Sequence, residues 1–258
     1  MSERDWHPSL RFMAVWQRNF LVWRKLALTS LLGNLADPMI YMLGLGYGLG
    51  SLVGEVQGVS YISFLVGGTI CYSTMNSASF EALYSGFSRM HTQKTWESIM
   101  FTPLHLYDVV IAEWVWAACK SLLSGGAILL VAALLGVIHG AALLWILPIA
   151  FLIGLCFSAL GLVITAIAPS YDFFMYYFTL FVTPMALGCG VFFPVEQLPA
   201  ALRDAADLLP LSHAVALVRP LSLRQVPADI VLHLLVLFGY TAVGVVLSCR
   251  LFRRRLLR

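Results

Sequence analysis

Four ionisable side chains lie inside long apolar stretches of this sequence: Asp37, Glu81, Glu113 and Lys120. Charges in apolar surroundings are rare because they lose their hydration, so they mark either a polar pathway or pairs that neutralise each other. Glu113 and Lys120 are two helical turns apart and share a face of a helix. We expect these two side chains to pair with other segments, or with each other through an intermediary.

Asn34 and Asp37 are one helical turn apart, and Asp37 directly precedes Pro38. Two interpretations stay open for them. They either line a translocation path or hydrogen-bond to the carbonyl groups that a proline leaves free at a helix kink. Tyrosines near the ends of the apolar stretches either stack on sugar rings along such a path or belong to an interfacial aromatic belt. The candidate path residues are Asn34, Asp37, Tyr41, Tyr72 and Glu81.

No sequence motif supplies catalytic or metal chemistry. The chain contains no GxxxxGK[ST], HExxH or GxSxG sequence. Its five cysteines are scattered singly, which is typical of small packing residues in membrane helices. His213 has no second ligand at metal spacing and follows Ser212, a helix cap, so we interpret it as structural. We therefore expect no catalytic residue, metal site or cofactor in this chain, and any ATP must be hydrolysed by a second polypeptide.

The composition is that of an integral membrane protein. Of 258 residues, 60% are hydrophobic and 11% are charged, and the mean hydropathy is +0.86. In soluble domains about a quarter of the residues are charged. Roughly 20 apolar residues are needed to cross a bilayer as a helix. We predict an all-α fold in one transmembrane domain, residues 1–258, with six spans at 27–50, 61–82, 108–136, 143–168, 173–193 and 229–250.

Basic residues set the orientation of these spans. Most of them precede the first span, lie between spans two and three, or follow the last span: Arg4, Arg11, Arg18, Arg24, Lys25, Arg89, Lys94, Arg250, Arg253, Arg254, Arg255 and Arg258. With six spans all of these lie on one side, which the positive-inside rule identifies as the cytoplasm. Both termini are therefore expected in the cytoplasm.

Residues 9–25 alternate apolar and basic side chains at helical spacing. This pattern predicts an amphipathic helix on the cytoplasmic leaflet, with its basic residues near anionic headgroups. The helix either serves only as an interfacial anchor or helps to transmit motion.

A second short helix is predicted at residues 92–101, in the loop after the second span. Thr92 or Thr95 would cap it, and Trp96, Ile99 and Met100 would share one face. An aromatic and aliphatic face exposed to the cytosol suits docking into a groove on a partner protein. The alternative is that this face lies on the membrane surface.

Residues 194–225 are too apolar for an ordinary loop and too interrupted by prolines and charges to cross a bilayer. Leu198, Leu202, Ala205 and Leu209 fall on one helical stripe, which favours pieces that dip into an interface. By charge counting this segment lies on the outer side, where it suggests a gate at the mouth of a transport path. The candidate gate residues are Phe193, Pro194, Glu196, Pro199, Pro210 and His213.

Taken together, these segments resemble those of type-2 ABC export permeases, and most closely the nodulation-type lipooligosaccharide exporter permeases. The matching stretches are residues 75–81, 95–104, 108–113, 190–199 and 209–215. With the six-span layout, the similarity covers nearly the whole chain.

The resemblance implies a homodimer that binds two copies of a separate ABC ATPase, which would hold ATP and magnesium. Each ATPase would dock on a coupling helix at residues 92–101, through Thr95, Trp96, Glu97, Ile99 and Met100. Residues 194–225 would be the external pair of re-entrant helices before the last span. The expected location is the bacterial inner (plasma) membrane, with multiple spans, and the expected partners include membrane lipids but no nucleic acid.

The resemblance also implies an amphipathic or lipid-linked saccharide as cargo, such as a lipooligosaccharide or a polysaccharide. Permeases of similar layout export drugs and other lipids, so a drug or lipid cargo stays open. A third alternative is an ATP-independent channel or membrane scaffold.

Overall fold

A computed structural model describes residues 10–138, 140 and 142–256, except for the side chains at 31, 34, 35, 37, 38, 142 and 143. The N-terminal part begins with two helices joined by a 3-10 turn, continues through a π-helical turn and two short helices, and ends in a small antiparallel hairpin. These elements are α1 (Phe12–Trp23), the turn Arg24–Leu26, α2 (Ala27–Ile40), the π turn Tyr41–Leu45, α3 (Gly46–Gly48), α4 (Gly50–Val53), β1 (Glu55–Val56) and β2 (Val59–Ser60).

The remaining described part is helical. Its elements are α5 (Tyr61–Phe80), the π turns Glu81–Ser85 and Ser88–Thr92, α6 (Thr95–Met100), α7 (Leu106–Leu134), α8 (Ala142–Ile167), α9 (Phe173–Tyr177), the π turn Phe178–Val182, α10 (Thr183–Gly188), the 3-10 turn Val195–Gln197, α11 (Ala200–Asp207), α12 (Pro210–Ser222) and α13 (Ile230–Leu256). Helix α8 packs against α5 and α7 and, in addition, against α12 and α13.

Three stretches of the described helices are long and apolar enough to cross a membrane: Leu106–Leu134, Leu144–Ile167 and Ile230–Leu256. They correspond to the third, fourth and sixth predicted spans. Helix α5 has the length of a span at 20 residues, but many small polar residues interrupt its apolar character. The all-α membrane fold is confirmed, while the number of spans and the single domain stay predictions.

The fifth predicted span, 173–193, is shorter in the structure. Its helical part ends at Gly188, and the turn Phe178–Val182 within it is π-helical. The backbone leaves the helix at Cys189, and Gly190 has a φ of 77°, a conformation that favours glycine and reverses the chain. Residues 189–193 therefore belong to the loop that leads into α11.

Prolines divide the segment after α10 into two helices, as the sequence predicts. Pro199 precedes α11 and Pro210 is the first residue of α12, where the missing N–H is no loss. Two residues of the predicted apolar stripe, Leu198 and Leu209, lie outside α11, and within it Leu202 is 57% exposed while the buried residue is Ala206. Helix α12 supplies the packing instead, since it contacts α5, α8 and α13.

Two glycines of α5 allow α12 and the loop after α10 to approach closely. A Cβ on Gly67 would lie 2.7 Å from Cα of Arg219, and a Cβ on Gly68 would collide with the carbonyl oxygen of Val191. These contacts fix α12 and the loop after α10 against α5.

We expect Gly68→Ala to lower the free energy of unfolding by about 1–3 kcal/mol, because the added methyl group must displace the backbone at Val191. Gly48→Ala is the matched control, since a Cβ there meets no atom within 4 Å. Thermal unfolding of the purified protein in detergent measures the effect. Equal unfolding temperatures for the two variants would show that this close approach does not exist.

Candidate functional site

Two acidic and two basic side chains form a buried charge network between α7 and the segment that follows α5. Arg89 Nη2 lies 3.0 Å from Glu81 Oε1, and Arg89 Nε lies 2.9 Å from Glu113 Oε1. Lys120 Nζ lies 2.7 Å from Glu81 Oε2. Glu113 and Lys120 are thus linked through Arg89 and Glu81, which confirms the expected structural pairing through an intermediary.

Every oxygen of Glu81 has a partner. Besides Arg89 and Lys120, Trp116 Nε1 donates to it at 2.8 Å and Ser85 Oγ at 2.8 Å. Its side chain is 3% exposed, so these bonds replace the hydration that burial removes. Glu81 is therefore a structural member of the network. It also lines a cavity, so its predicted place on a translocation path stays a prediction.

Arg89 lies at the centre of the network. Burial by itself lowers the pKa of its guanidinium group, but Glu113 and Glu81 raise it more, so the pKa lies above the ordinary value. The network has as many negative as positive charges, which is the condition for burying ions at an acceptable cost.

Helix α1, the predicted interface helix, packs on α7. Trp16, Phe20 and Trp23 surround the ring of Trp116 with centroid distances of 6.0, 6.4 and 5.9 Å. Asn19 is buried, and its Nδ2 donates to Glu113 Oε1 at 3.1 Å. The described part of this helix is therefore joined to the charge network.

Helix α6 differs from the predicted coupling helix 92–101 in its limits. Lys94 precedes it in a left-handed conformation, and the side chain of neither Thr92 nor Thr95 caps it. Arg18 Nη2 reaches Thr95 Oγ1 at 3.5 Å, at the margin of a hydrogen bond.

The prediction that Trp96 lies on an exposed docking face is wrong. The side chain is fully buried, with its ring centroid 4.8 Å from that of Phe252. Helix α13 reaches Leu256 rather than ending at residue 250, and its last turns cover this face of α6. Ile99 and Met100 are half-buried, so the side of α6 open to a partner consists of Glu97, Ser98 and the adjoining Phe101, which is 92% exposed.

Two adjoining cavities form a groove, called here the polar groove, that runs from α1, α7 and the turns after α5 to the space between α2 and α5. One cavity, of about 510 Å³, lies against the charge network. The other, of about 440 Å³, lies further along α5. Ser30 and Lys120 line both of them. The second cavity is lined by Thr29, Ser30, Gly33, Ser73, Asn76, Ser77, Phe80 and Lys120.

The polar groove follows one face of α5. Ser73, Ser77 and Glu81 are four residues apart, and Asn76 lies in the neighbouring row four residues after Tyr72. Ser73 Oγ is buried and has no hydrogen-bond partner among the described residues, so it is available to a polar ligand. Tyr72 and Glu81 were predicted as path residues. Ser73, Asn76 and Ser77 between them were not predicted, although the same helical spacing identifies them.

Three aromatic rings meet beside the polar groove where the loop after α10 approaches α5. The centroids of Tyr41 and Tyr72 are 6.3 Å apart, and those of Tyr41 and Phe192 are 5.7 Å apart. Tyr61 Oη donates to the carbonyl oxygen of Phe192 at 3.0 Å. Phe192, not the predicted Phe193, thus joins residues 194–225, called here the gate segment, to the candidate path residues Tyr41 and Tyr72. The side chains of Asn34 and Asp37 lie outside the described residues, so their role stays a prediction.

Arg219 of α12 holds the loop of the gate segment in place. Its Nε donates to the carbonyl oxygen of Phe64 at 3.2 Å, and its Nη2 donates to those of Gly190 and Val191. The guanidinium carbon lies 3.7 Å from the centroid of the Phe64 ring. The sequence analysis missed this role because the residues that it joins are far apart in the chain.

The predicted gate residues occupy different environments. Pro194, Pro210 and His213 are buried, Phe193 is half-buried, and Glu196 and Pro199 are exposed. Gln57 Nε2 donates to Glu196 Oε2 at 3.4 Å, which links the hairpin to this segment.

His213 pairs with a second histidine, His233, which lies 20 residues further along the chain. Its Nε2 lies 2.9 Å from the carbonyl oxygen of Asp207, and its Nδ1 lies 2.8 Å from Nδ1 of His233. A carbonyl oxygen only accepts, so with neutral rings His213 Nε2 carries the proton and its Nδ1 accepts from His233. Among the described residues no group of three or more His, Cys, Asp or Glu side chains is placed to hold a metal ion.

Residues 11–223 match the family described as ABC-2 type transporter. Nodulation protein J of Rhizobium leguminosarum bv. viciae is 51% identical over 249 residues, which cover 96% of each chain. Nodulation protein J of Bradyrhizobium diazoefficiens is 49% identical over 245 residues, 95% of this chain and 94% of that one.

A more distant relative is the inner membrane transport permease YadH of Escherichia coli. It is 24% identical over 232 residues, which cover 87% of this chain and 88% of that one.

We expect Glu81→Gln to lower the free energy of unfolding by about 3 kcal/mol, because Lys120 loses its carboxylate and Arg89 loses one of two. Glu55→Gln, at an exposed carboxylate of the hairpin, is the matched control and should cost less than about 1 kcal/mol. Adding Lys120→Met to Glu81→Gln should restore part of the loss by removing the stranded charge. If Glu81→Gln and Glu55→Gln unfold at the same temperature in detergent, the network does not stabilise the fold.

Proposed function

Since the chain belongs to the ABC-2 type transporter family, as a type-2 ABC permease of the nodulation-J type, we propose that it exports an amphipathic or lipid-linked saccharide, such as a lipooligosaccharide or a polysaccharide. The observation that carries the proposal is the polar groove, which runs along α5 from the charge network towards the aromatic rings near the gate segment. We propose the bacterial inner membrane as its location, with both termini in the cytoplasm.

The chemistry of the polar groove suits the head of such a cargo. Hydroxyl groups of Ser30 and Ser73 and the amide group of Asn76 can exchange hydrogen bonds with sugar hydroxyls. The rings of Tyr41 and Tyr72 offer faces and edges on which a sugar ring can stack.

The surface of α2 suits the lipid part of the cargo. Leu28, Leu32 and Ile40 are 73%, 61% and 66% exposed, so an acyl chain can stay in the bilayer beside the groove. The saccharide would lie in the polar groove while the lipid tail stays in the bilayer, as an amphipathic cargo requires.

The energy for export would come from a separate ABC ATPase that holds ATP and magnesium, because this chain has no GxxxxGK[ST] loop. We propose that two copies of the chain form a homodimer and that each docks one ATPase on α6. The docking surface consists of Glu97, Ser98 and Phe101, with the partly buried Thr95, Ile99 and Met100 at its edge. Trp96 acts from the other side, by fixing α6 to α13.

We expect Ser30→Trp to abolish export, because Ser30 lines both cavities of the polar groove and an indole would fill the passage. Leu28→Trp is the matched control on the same helix, since Leu28 is 73% exposed and lines neither cavity. Export of a labelled acylated oligosaccharide from cells that also express the ATPase measures the effect, with membrane content of each variant determined in parallel.

Normal saccharide export by Ser30→Trp would contradict the proposed path. If both the unchanged protein and Leu28→Trp move a labelled drug or phospholipid but no saccharide, the cargo belongs to the alternative class of drug and lipid exporters.

We expect Phe101→Ala combined with Glu97→Ala to reduce the amount of ATPase that copurifies with the permease, because both side chains are exposed on the proposed docking surface. The unfolding temperature should not change.

Trp96→Ala should instead lower the free energy of unfolding by about 3–5 kcal/mol, as expected for a buried aromatic residue. Leu208→Ala, at an exposed leucine within the gate segment, is the control for Trp96→Ala. If the Phe101→Ala, Glu97→Ala variant copurifies with as much ATPase as the unchanged protein, this docking surface is refuted. If no ATPase copurifies even with the unchanged protein, the channel or scaffold alternative is revived.

A further inference from the structure

A second large cavity, called here the apolar cleft, lies between α8, α12 and α13. Its volume is about 960 Å³, and its walls include Trp145, Pro148, Leu221, Ile230, Leu234 and Phe238. Among the described residues Arg224 is its one charged lining side chain, with Gln225 beside it. Such a cleft suits a long apolar ligand with an anionic end.

The apolar cleft is separate from the polar groove. The two have no lining residue in common among those described. Helix α8 lies between them, since it contacts α5 and α7 as well as α13. A ligand of the apolar cleft therefore does not occupy the proposed transport path.

The surroundings of the apolar cleft are those of a protein surface in contact with lipid. Trp145, Val231 and Phe238 are 68%, 70% and 55% exposed, which is unusual for large apolar side chains in contact with water. Both helices that border the opening contain candidate spans, and the cleft lies at the first turns of each. From Ile230 to Phe238 it follows α13 for about 12 Å, so it extends from the end of the spans towards the middle of the bilayer.

Arg224 is placed to bind the anionic end of such a ligand. Its side chain is exposed and forms no ion pair among the described residues. Its backbone has a φ of 59°, and Gln225 N donates to the carbonyl oxygen of Pro220 at 2.8 Å, which fixes this turn after α12. Arginine is well suited to phosphate because its planar guanidinium group can donate two parallel hydrogen bonds.

We propose that the apolar cleft is a binding site for an anionic glycerophospholipid of the outer leaflet. One acyl chain lies along Leu221, Leu234 and Phe238, and the phosphate group binds Arg224. The fit rests on charge complementarity at the opening and on continuity of the cleft with the lipid-facing surface.

Quenching of Trp145 fluorescence tests the proposal, because Trp145 lines the apolar cleft. The purified full-length protein in detergent is titrated with phosphatidylglycerol or phosphatidylcholine whose acyl chains are brominated. The part of the quenching that is lost in Trp145→Phe belongs to this site. We expect phosphatidylglycerol to bind about five-fold more tightly than phosphatidylcholine, the preference that one basic residue near a membrane surface provides.

Arg224→Gln should remove this preference while quenching by both lipids persists. Arg250→Gln, the same change at an exposed residue near the other end of α13, should leave it intact. Equal binding of the two lipids by the unchanged protein, or a preference that survives Arg224→Gln, would overturn the proposal. Absence of quenching at Trp145 would also overturn it and would be the result if a second copy of the chain covered the cleft.

Discussion

Burial of ionic groups within an apolar bundle is the constraint on which the rest of this structure depends. Glu81 and Glu113 are almost fully buried, Arg89 and Lys120 are only 14% exposed, and any one of these charges alone would be costly. Together they neutralise each other and join α7 to the segment that follows α5. Asn19 extends the network to α1, so three parts of the chain that are distant in sequence meet at one point. The same face of α5 continues beyond the network as Ser77 and Ser73, which line the second cavity of the polar groove.

Helix α13 connects the two ends of the molecule. At one end Phe252 packs on Trp96 of α6. Arg255 there donates to the carbonyl groups of Thr165 and Ala166 in the last turn of α8, at 3.1 and 3.0 Å, and to that of Ala168 just beyond it, at 2.8 Å. At the other end the side chains of His233 and Tyr240 hydrogen-bond to His213 and to the carbonyl oxygen of Leu208. A displacement of α6 must therefore either break its contact with Phe252 or move α13. This geometry offers a physical connection between the proposed docking surface on α6 and the proposed gate segment.

The sequence predicts the all-α membrane fold, three long spans and the linkage of Glu113 to Lys120, because hydropathy and helical spacing are local properties. It does not predict that Trp96 faces inward, since periodicity identifies an apolar face but not whether the chain itself or a partner covers it. Arg219 and Phe192 were missed for a related reason: their partners are carbonyl groups and rings brought close only by the packing of α12 on α5. The fifth predicted span is shorter in the structure because the backbone of Gly190 is left-handed, which the apolar residues around it do not reveal.

Direct contact between cargo and the polar groove is the central claim, and photo-crosslinking during transport tests it most directly. A photoreactive amino acid at Asn76, on the wall of the groove, is compared with one at Val243, which is 66% exposed on α13 away from the groove. With the ATPase and ATP present, a labelled lipid-linked saccharide should form an adduct at Asn76 through its sugar part and none at Val243. An adduct at Val243 without one at Asn76, in a protein that still exports the saccharide, would contradict the account.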